Sequence, residues 1–373
     1  MAVVGDNLTK MSNCDSLYKP VALAQDIRIR FNLEFLKGCS FHCPGCYVNR
    51  DNAYSDKDLD IVFSSFQQFK KAGFVFDEII LGPTDFFAAY NTEQLLLNPK
   101  FIRFFKDSED PIVLTLLTTL QSDEKEIIKR IELLNKNLGK NLELEILIPF
   151  QVSKILSKDA EYVSKLKERI QLLQRFECDV EYAMQMNIQE TKHLEGFNLK
   201  EVSDYIWNEF QTITEFNPSF LRSTNEGITG RTIESWNQML RENIKAHDTF
   251  GDERITFTMA NPNHAGFNEI TYNYHNGFFY SCPFIYENVF DRDEHFKIPP
   301  SGGEGFYTLA DFMNHRDKTD QNQLEYLRKT KECENCPHSM SCVSKQVIDY
   351  MNYKGRTECI LAKEVLDLYV EKF

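Results

Sequence analysis

Two hydrophobic periods alternate along most of the chain. Short β-like runs lie at Ile27–Leu36, Phe76–Leu81, Ile112–Thr118, Leu142–Pro149, Asp179–Asn187 and Thr212–Leu221. Most are apolar for several consecutive residues, as strands of a parallel sheet covered on both faces tend to be. Between them, Leu59, Val62, Phe63, Phe66 and Phe69 recur at helical spacing, as do Ile127, Ile128, Ile131 and Leu134. Ser122, ahead of a charged run, and Asn198, ahead of Leu199, suit N-caps. Six β/α passes predict an α/β fold, an open (β/α)6 sheet curled into a partial barrel. Chemistry in such sheets gathers at the carboxyl ends of the strands.

The pattern changes after a helix expected around Ile233–Ala246, with Trp236, Met239 and Leu240 inward. Asn268–Asn273 and Gly277–Cys282 flank His275-Asn276, which predicts a β-hairpin turning at Asn276-Gly277. Pro299-Pro300-Ser301-Gly302-Gly303 reads as a loop. The division that follows is an N-terminal extension over 1–26, a barrel domain over 27–250 and a small C-terminal domain over 251–373 that contains the hairpin.

Composition narrows the function classes. Hydrophobic residues make up 42% of the 373, and 30 are Phe, so the chain has ample material for a core. The net charge of −14 makes phosphate backbones poor partners, which argues against nucleic acid. No signal-peptide succession opens the chain, and no apolar stretch approaches the ~20 residues a membrane span needs. The ten cysteines form two clusters plus strays, a pattern of metal ligands in a reducing cytoplasm rather than a disulfide frame.

The first cluster is Gly38-Cys39-Ser-Phe-His-Cys43-Pro-Gly-Cys46-Tyr47, just after an apolar strand. Three thiolates within eight residues can hold three irons of a [4Fe–4S] cube and leave the fourth iron open. The competing readings are a zinc site short of one ligand and three unrelated thiols; structural zinc normally closes with four ligands. His42 lies inside the loop as a possible fourth ligand. The second cluster is Cys333, Cys336, Cys342 and Cys359, whose spacing fits zinc and [4Fe–4S] equally well.

The C-x3-C-x2-C spacing resembles the signature of the radical S-adenosylmethionine (SAM) enzymes. Gly277-x4-Cys282 together with the second cluster resembles their SPASM and twitch C-terminal extensions. The resemblance covers most of residues 27–365, and it departs from the full pattern at Gln346, where a further cysteine is usual. It implies a radical SAM partial barrel followed by a small iron–sulfur domain with a β-hairpin. It also implies SAM and two [4Fe–4S] clusters as cofactors. Cys39, Cys43 and Cys46 would hold the SAM-binding cluster, and Cys333, Cys336, Cys342 and Cys359 an auxiliary one. The implied activity is reductive cleavage of SAM to a 5′-deoxyadenosyl radical, which abstracts hydrogen from the substrate.

Further site residues come from strand ends. Where the family carries Gly-Gly-Glu after its second strand, to contact the SAM amino group, this chain has Gly82-Pro83-Thr84-Asp85. Asp85 is then either that acceptor or a cap on its own turn. The literal Gly302-Gly303-Glu304 lies far from that strand. Gly45 stands where an aromatic residue is usual, leaving its backbone to meet adenine. Gln151 and Asn187, at the ends of the fourth and fifth strands, are positioned for ribose, and Arg222, after the sixth, for the SAM carboxylate. Cys282 is left over from the clusters. It is a buried thiol, a ligand of a further cluster, or a hydrogen-atom donor to a substrate radical.

Peptide or amino-acid-derived substrates lead, with cross-linking, oxidation or epimerisation as the reaction. Small-metabolite biosynthesis and a non-catalytic iron–sulfur or zinc protein are the alternatives. A low-potential reductant such as flavodoxin or ferredoxin is the implied partner. Only 26 residues precede the first expected strand, so any leader-peptide-binding unit is expected to be a separate protein.

Overall fold

The computed structural model describes residues 28–41, 54–82, 84–108, 112–138, 142–187, 198–217, 234, 237–242, 245, 255–257, 269–280, 297–315 and 367–368. Among these residues nine strands form one sheet: β1 Arg28–Leu33, β2 Val75–Leu81, β3 Ile112–Leu117, β4 Leu142–Pro149, β5 Asp179–Asn187, β6 Thr214–Asn217, β7 Ile255–Phe257, β8 Glu269–His275 and β9 Phe278–Tyr280. Their order is β7-β6-β5-β4-β3-β2-β1-β8-β9. Every neighbouring pair is parallel except the terminal hairpin β8–β9.

Helices α1 Asp56–Lys71, α2 Thr92–Leu96, α3 Pro99–Lys106, α4 Glu124–Leu138, α5 Val152–Leu156, α6 Ala160–Leu172 and α7 Leu199–Phe210 lie between the strands. This is the β/α alternation the periodicity predicts. In α1, Leu59, Ile61, Val62, Phe66 and Phe69 are buried. They pack on β1 through Phe31, whose ring lies 6.0 Å from Phe69, 5.2 Å from Phe76 and 5.1 Å from Phe279. Much of the phenylalanine content thus serves one aromatic core beneath the helices, where edge-to-face contacts are favoured.

The strands are not covered alike on both faces. β1 and β4 alternate, with Ile29, Phe31 and Leu33, and likewise Leu142, Leu144, Ile146 and Ile148, buried under the helices. Their intervening residues (Arg30, Asn32; Glu143, Glu145) face the other way, onto the concave side. Polar side chains on that side are what an incompletely closed barrel requires, because its interior stays open at one edge.

Several boundaries differ from expectation. β1 is Arg28–Leu33, shorter than the expected Ile27–Leu36, although Glu34 N still donates to Tyr274 O at 3.0 Å; β6 is Thr214–Asn217, and the rest of the expected run to Leu221 lies outside the described residues. β7, three residues long, adds an edge strand too short for any period to reveal. Asn198 caps α7 as expected, accepting from Glu201 N at 3.2 Å. Ser122 does not cap α4; its hydroxyl donates to Phe87 O at 2.8 Å, and the helix starts two residues later. The hairpin turns at Asn276 (φ 44°) and Gly277 (φ 87°), both left-handed, as the tight hairpin turn demands. It does more than expected, because β8 runs parallel to β1 and so continues the barrel sheet. Residues 237–242 are helical, with Met239 and Leu240 buried; Trp236 lies outside the described residues.

Candidate functional site

The carboxyl edge of β1 through β5 carries the loops that bear the candidate residues. Cys39 stands six residues past β1, half-buried and not disulfide-bonded. The chain approaching it is held by the segment after β2. Asn91 bridges two backbone groups: its Oδ1 accepts from Lys37 N at 2.6 Å and its Nδ2 donates to Phe35 O at 2.8 Å. Tyr90 N donates to Lys37 O at 2.8 Å, and Thr84 Oγ1 to Leu36 O at 3.3 Å. Gly38 has φ +68°, and a Cβ there would meet Tyr90 Cδ2 at 2.4 Å. The ring of Tyr90 therefore lies on a backbone that only glycine leaves open.

The far end of the cysteine loop is fixed as well. Ser55 and Asp58 form a capping box at the start of α1. Tyr54, just before it, lies 5.2 Å from the ring of Phe35. Its phenol is pushed up to about 12 by burial and then by the charge of Asp56.

Asp85 is buried and its carboxylate is saturated. Oδ1 accepts from Phe87 N at 2.9 Å and Ala88 N at 3.1 Å; Oδ2 accepts from Thr119 N at 2.6 Å and Thr119 Oγ1 at 2.8 Å; Thr118 Oγ1 reaches both oxygens. Burial pushes this carboxyl above its ordinary value, and the donors from Thr119, Thr118 and Phe87 pull against that. Of the two roles open for Asp85, these bonds are the turn cap, joining the ends of β2 and β3.

Gly82 ends β2. Its N–H donates to Leu33 O at 3.3 Å, and a Cβ on it would meet Leu117 Cδ1 at 3.0 Å and Asn32 Oδ1 at 3.6 Å. Gln151 precedes α5 without capping it; its N–H donates to the Tyr162 hydroxyl at 3.1 Å. It lines a groove of about 360 Å³ with Thr119, Leu120, Lys154, Tyr162 and Arg169. Asn187 is the last residue of β5, in register with Asn217 of β6. Gly45, Cys43, Cys46, Arg222, Cys282, Cys333, Cys336, Cys342, Cys359 and His42 lie outside the described residues.

Residues that strand-end reasoning missed line the concave wall of β1 and β8 in three rungs. Lowest, Arg30 Nε lies 2.9 Å from Glu78 Oε2, and Thr115 donates to Glu78 and, at 3.2 Å, to Glu145. In the middle, Asn32 Nδ2 donates to Asn273 Oδ1 at 2.6 Å. At the rim, His275 Nδ1 is 2.8 Å from Glu34 Oε2, both under 4% exposed. The alternation Arg30-x-Asn32-x-Glu34 was the available signal: polar residues at every second position of an otherwise buried strand.

This mouth suits a thiolate-held cluster with SAM beside it. Cys39 would supply a ligand at the rim, Gly82 brings its backbone close to Leu117 and Asn32 where a Cβ would crowd, and Asn32 Oδ1 is a buried acceptor without a donor. Among the described residues no three of His, Cys, Asp and Glu are grouped to bind a metal, since Cys43 and Cys46 lie outside them.

No protein-family model and no curated protein matches the sequence. Solved structures do. Native anSMEcpe with bound AdoMet superposes with a TM-score of 0.50 at 10% identity, covering 92% of this chain and 99% of that one. SuiB of Streptococcus suis, bound to precursor peptide SuiA, superposes with a TM-score of 0.39 at 13% identity. That alignment covers 69% of this chain and 60% of SuiB, so the chain spans about three fifths of that protein's length. The fold is the partial barrel of the radical SAM enzymes. No helix among the described residues is long and apolar enough to cross a membrane.

Proposed function

We propose that this chain is a radical SAM oxidoreductase acting on a peptide or amino-acid-derived substrate. The observation that carries the reading is the position of Cys39. It is the first cysteine of C-x3-C-x2-C, on the loop that leaves β1 at the carboxyl edge of a parallel partial barrel. Cys39, Cys43 and Cys46 would hold the SAM-binding cube. Cys333, Cys336, Cys342 and Cys359 would hold an auxiliary cube. When bound and reduced, the first cube and SAM supply a 5′-deoxyadenosyl radical able to take hydrogen from an unactivated position.

The chain's own residues orient and enclose. Asn91 and Tyr90 fix the path into the cysteine loop, and the Ser55–Asp58 box fixes the path out. The Arg30–Glu78 ion pair and the Thr115 bonds to Glu78 and Glu145 tie β1, β2, β3 and β4 together across the concave face. Gly45, Gln151, Asn187 and Arg222 belong to this reading as SAM contacts, and Cys282 as a hydrogen-atom donor. A flavodoxin- or ferredoxin-like reductant and a separate leader-binding protein complete it. The peptide or amino-acid substrate class rests on the likeness of the C-terminal cysteines to the SPASM and twitch pattern.

Anaerobic reconstitution tests the reading. Two cubes require about eight irons and eight sulfides per chain. Incubation with SAM and dithionite is expected to yield 5′-deoxyadenosine, and Cys43→Ala to abolish it. Zinc in the first site, or no SAM cleavage under any reductant, would favour a non-catalytic metal protein instead.

A further inference from the structure

We infer that Asn32, rather than Asp85, receives the ammonium group of SAM; this rests on the SAM-binding reading above. Asn32 Oδ1 is shut off from solvent and receives no hydrogen bond. A buried amide oxygen without a donor is costly and rare, so it marks a place where a partner belongs. The amide nitrogen donates to Asn273 Oδ1 at 2.6 Å, and with the carboxamide assigned this way Oδ1 is the end left without a partner.

The neighbourhood supports a small cationic donor. Gly82 stands over the oxygen, and any side chain there would fill the space, since even a Cβ would come within 3.6 Å of Oδ1 and 3.0 Å of Leu117. Glu34, the first residue past β1, has its backbone N–H on Tyr274 O at 3.0 Å and its carboxylate 2.8 Å from His275 Nδ1. Arg30, the nearest cation below on this wall, is paired with Glu78. Of the donors on SAM, the ammonium alone carries charge, and it belongs to the end of the molecule that meets the cluster borne on the loop after β1. Asp85 offers nothing comparable, because both its oxygens are filled by Phe87, Ala88, Thr118 and Thr119.

The test is equilibrium binding to the anaerobically reconstituted full chain, with SAM and with its des-amino analogue, read by dialysis and by the change that SAM makes in the reduced-cluster EPR signal. Asn32→Leu is expected to weaken SAM about 10–100-fold, the range for one hydrogen bond to a charged group, and to leave the analogue unchanged. Asn32→Asp is expected to bind SAM at least as tightly as wild type. Gly82→Ala, which keeps the Asn32–Asn273 bond, is expected to mimic Asn32→Leu, and it carries the test if the leucine variant does not fold. The inference is overturned if Asn32→Leu, or Gly82→Ala in its place, binds SAM normally. It is overturned equally if both ligands weaken alike, or if Asn32→Asp is as weak as Asn32→Leu. Each of those results leaves SAM binding itself standing. A wild-type protein that carries its cubes and binds no SAM overturns both readings.

Discussion

The phenol of Tyr274 donates to Asp58 Oδ1 at 2.6 Å, across 216 residues of sequence. Asp58 Oδ2 meanwhile accepts from Ser55 N at 2.7 Å and Ser55 Oγ at 2.6 Å. One carboxylate thus joins β8 to the residue where the cysteine loop returns to α1. Burial, then the Asp58 bond, lifts the phenol well above its ordinary value, so it remains a donor throughout the working range. A raised folded value means that its stabilisation is complete below the ordinary phenol pKa and is lost as pH climbs past it.

Tyr274→Phe is therefore expected to lower unfolding free energy by about 1.5–3 kcal/mol near neutral pH, as for a hydrogen bond to a charged group. Asp58→Ala is expected to cost more, because the capping box goes with it. The double variant should lose less than the two singles added, since both remove the same bond. Urea unfolding of the three variants measures all of this. Additive losses would mean that the bond contributes nothing in solution.

Gly38 and Tyr90 make a second pair. Gly38→Ala forces an L-residue to φ +68° and drives its Cβ to 2.4 Å from the ring. The left-handed backbone alone costs about 1–2 kcal/mol. Tyr90 is 72% exposed, so Tyr90→Ala is expected to cost under about 1 kcal/mol. Gly38→Ala combined with Tyr90→Ala should remove the clash but keep the backbone penalty. Thermal unfolding separates the two parts. Iron retained after reconstitution should fall in the same order, if the segment positions Cys39.

Those pairs also mark what the sequence could and could not disclose. The β/α alternation was legible because buried helix faces such as Leu59–Val62–Phe66–Phe69 repeat at 3.6 residues. The cysteine loop was legible because its chemistry sits within eight residues of chain. Asn32 and Asn273 are 241 residues apart and meet only because β8 lies parallel to β1, a pairing that no local period encodes. Ser122 misled because Asp123 follows it directly, and a hydroxyl with a nearby carbonyl acceptor has no need of the helix end. The sequence left Asp85 open between acceptor and turn cap, and the Thr118-Thr119 donors that hold its carboxylate arrive from the end of another strand, which no local pattern reveals.

Cys178 supplies a pH test. Burial pushes its thiol up to about 11, against an ordinary 9.0. A protonated, half-buried thiol is a poor nucleophile and a poor metal ligand, so Cys178 should not compete for iron during reconstitution. The raised value also carries a sign. The unfolded thiol ionises first, so its contribution to stability is complete below about 9 and falls as pH rises toward 11. Between pH 8 and 10.5 the stability gap between wild type and Cys178→Ala should therefore drift in favour of the alanine variant. A gap that stays constant over that range would show the thiol to be freely solvated.

Asp85 offers the sharpest separation of structure from binding. Asp85→Ala leaves the N–H groups of Phe87 and Thr119 without their acceptor at the junction of β2 and β3, while Ala88 N keeps the backbone carbonyl of residue 85 at 3.1 Å. Unsatisfied buried donors of this kind cost about 1–3 kcal/mol each, and partial rehydration brings the expected total to about 3–4 kcal/mol. Asp85→Asn keeps one acceptor oxygen and turns an NH2 toward the other donors, so its loss should be intermediate. The fold closes the carboxylate around its own turn, so folded Asp85→Asn protein should bind SAM within about threefold of wild type. A loss of tenfold or more at undiminished stability would return Asp85 to the cofactor and take the acceptor role away from Asn32.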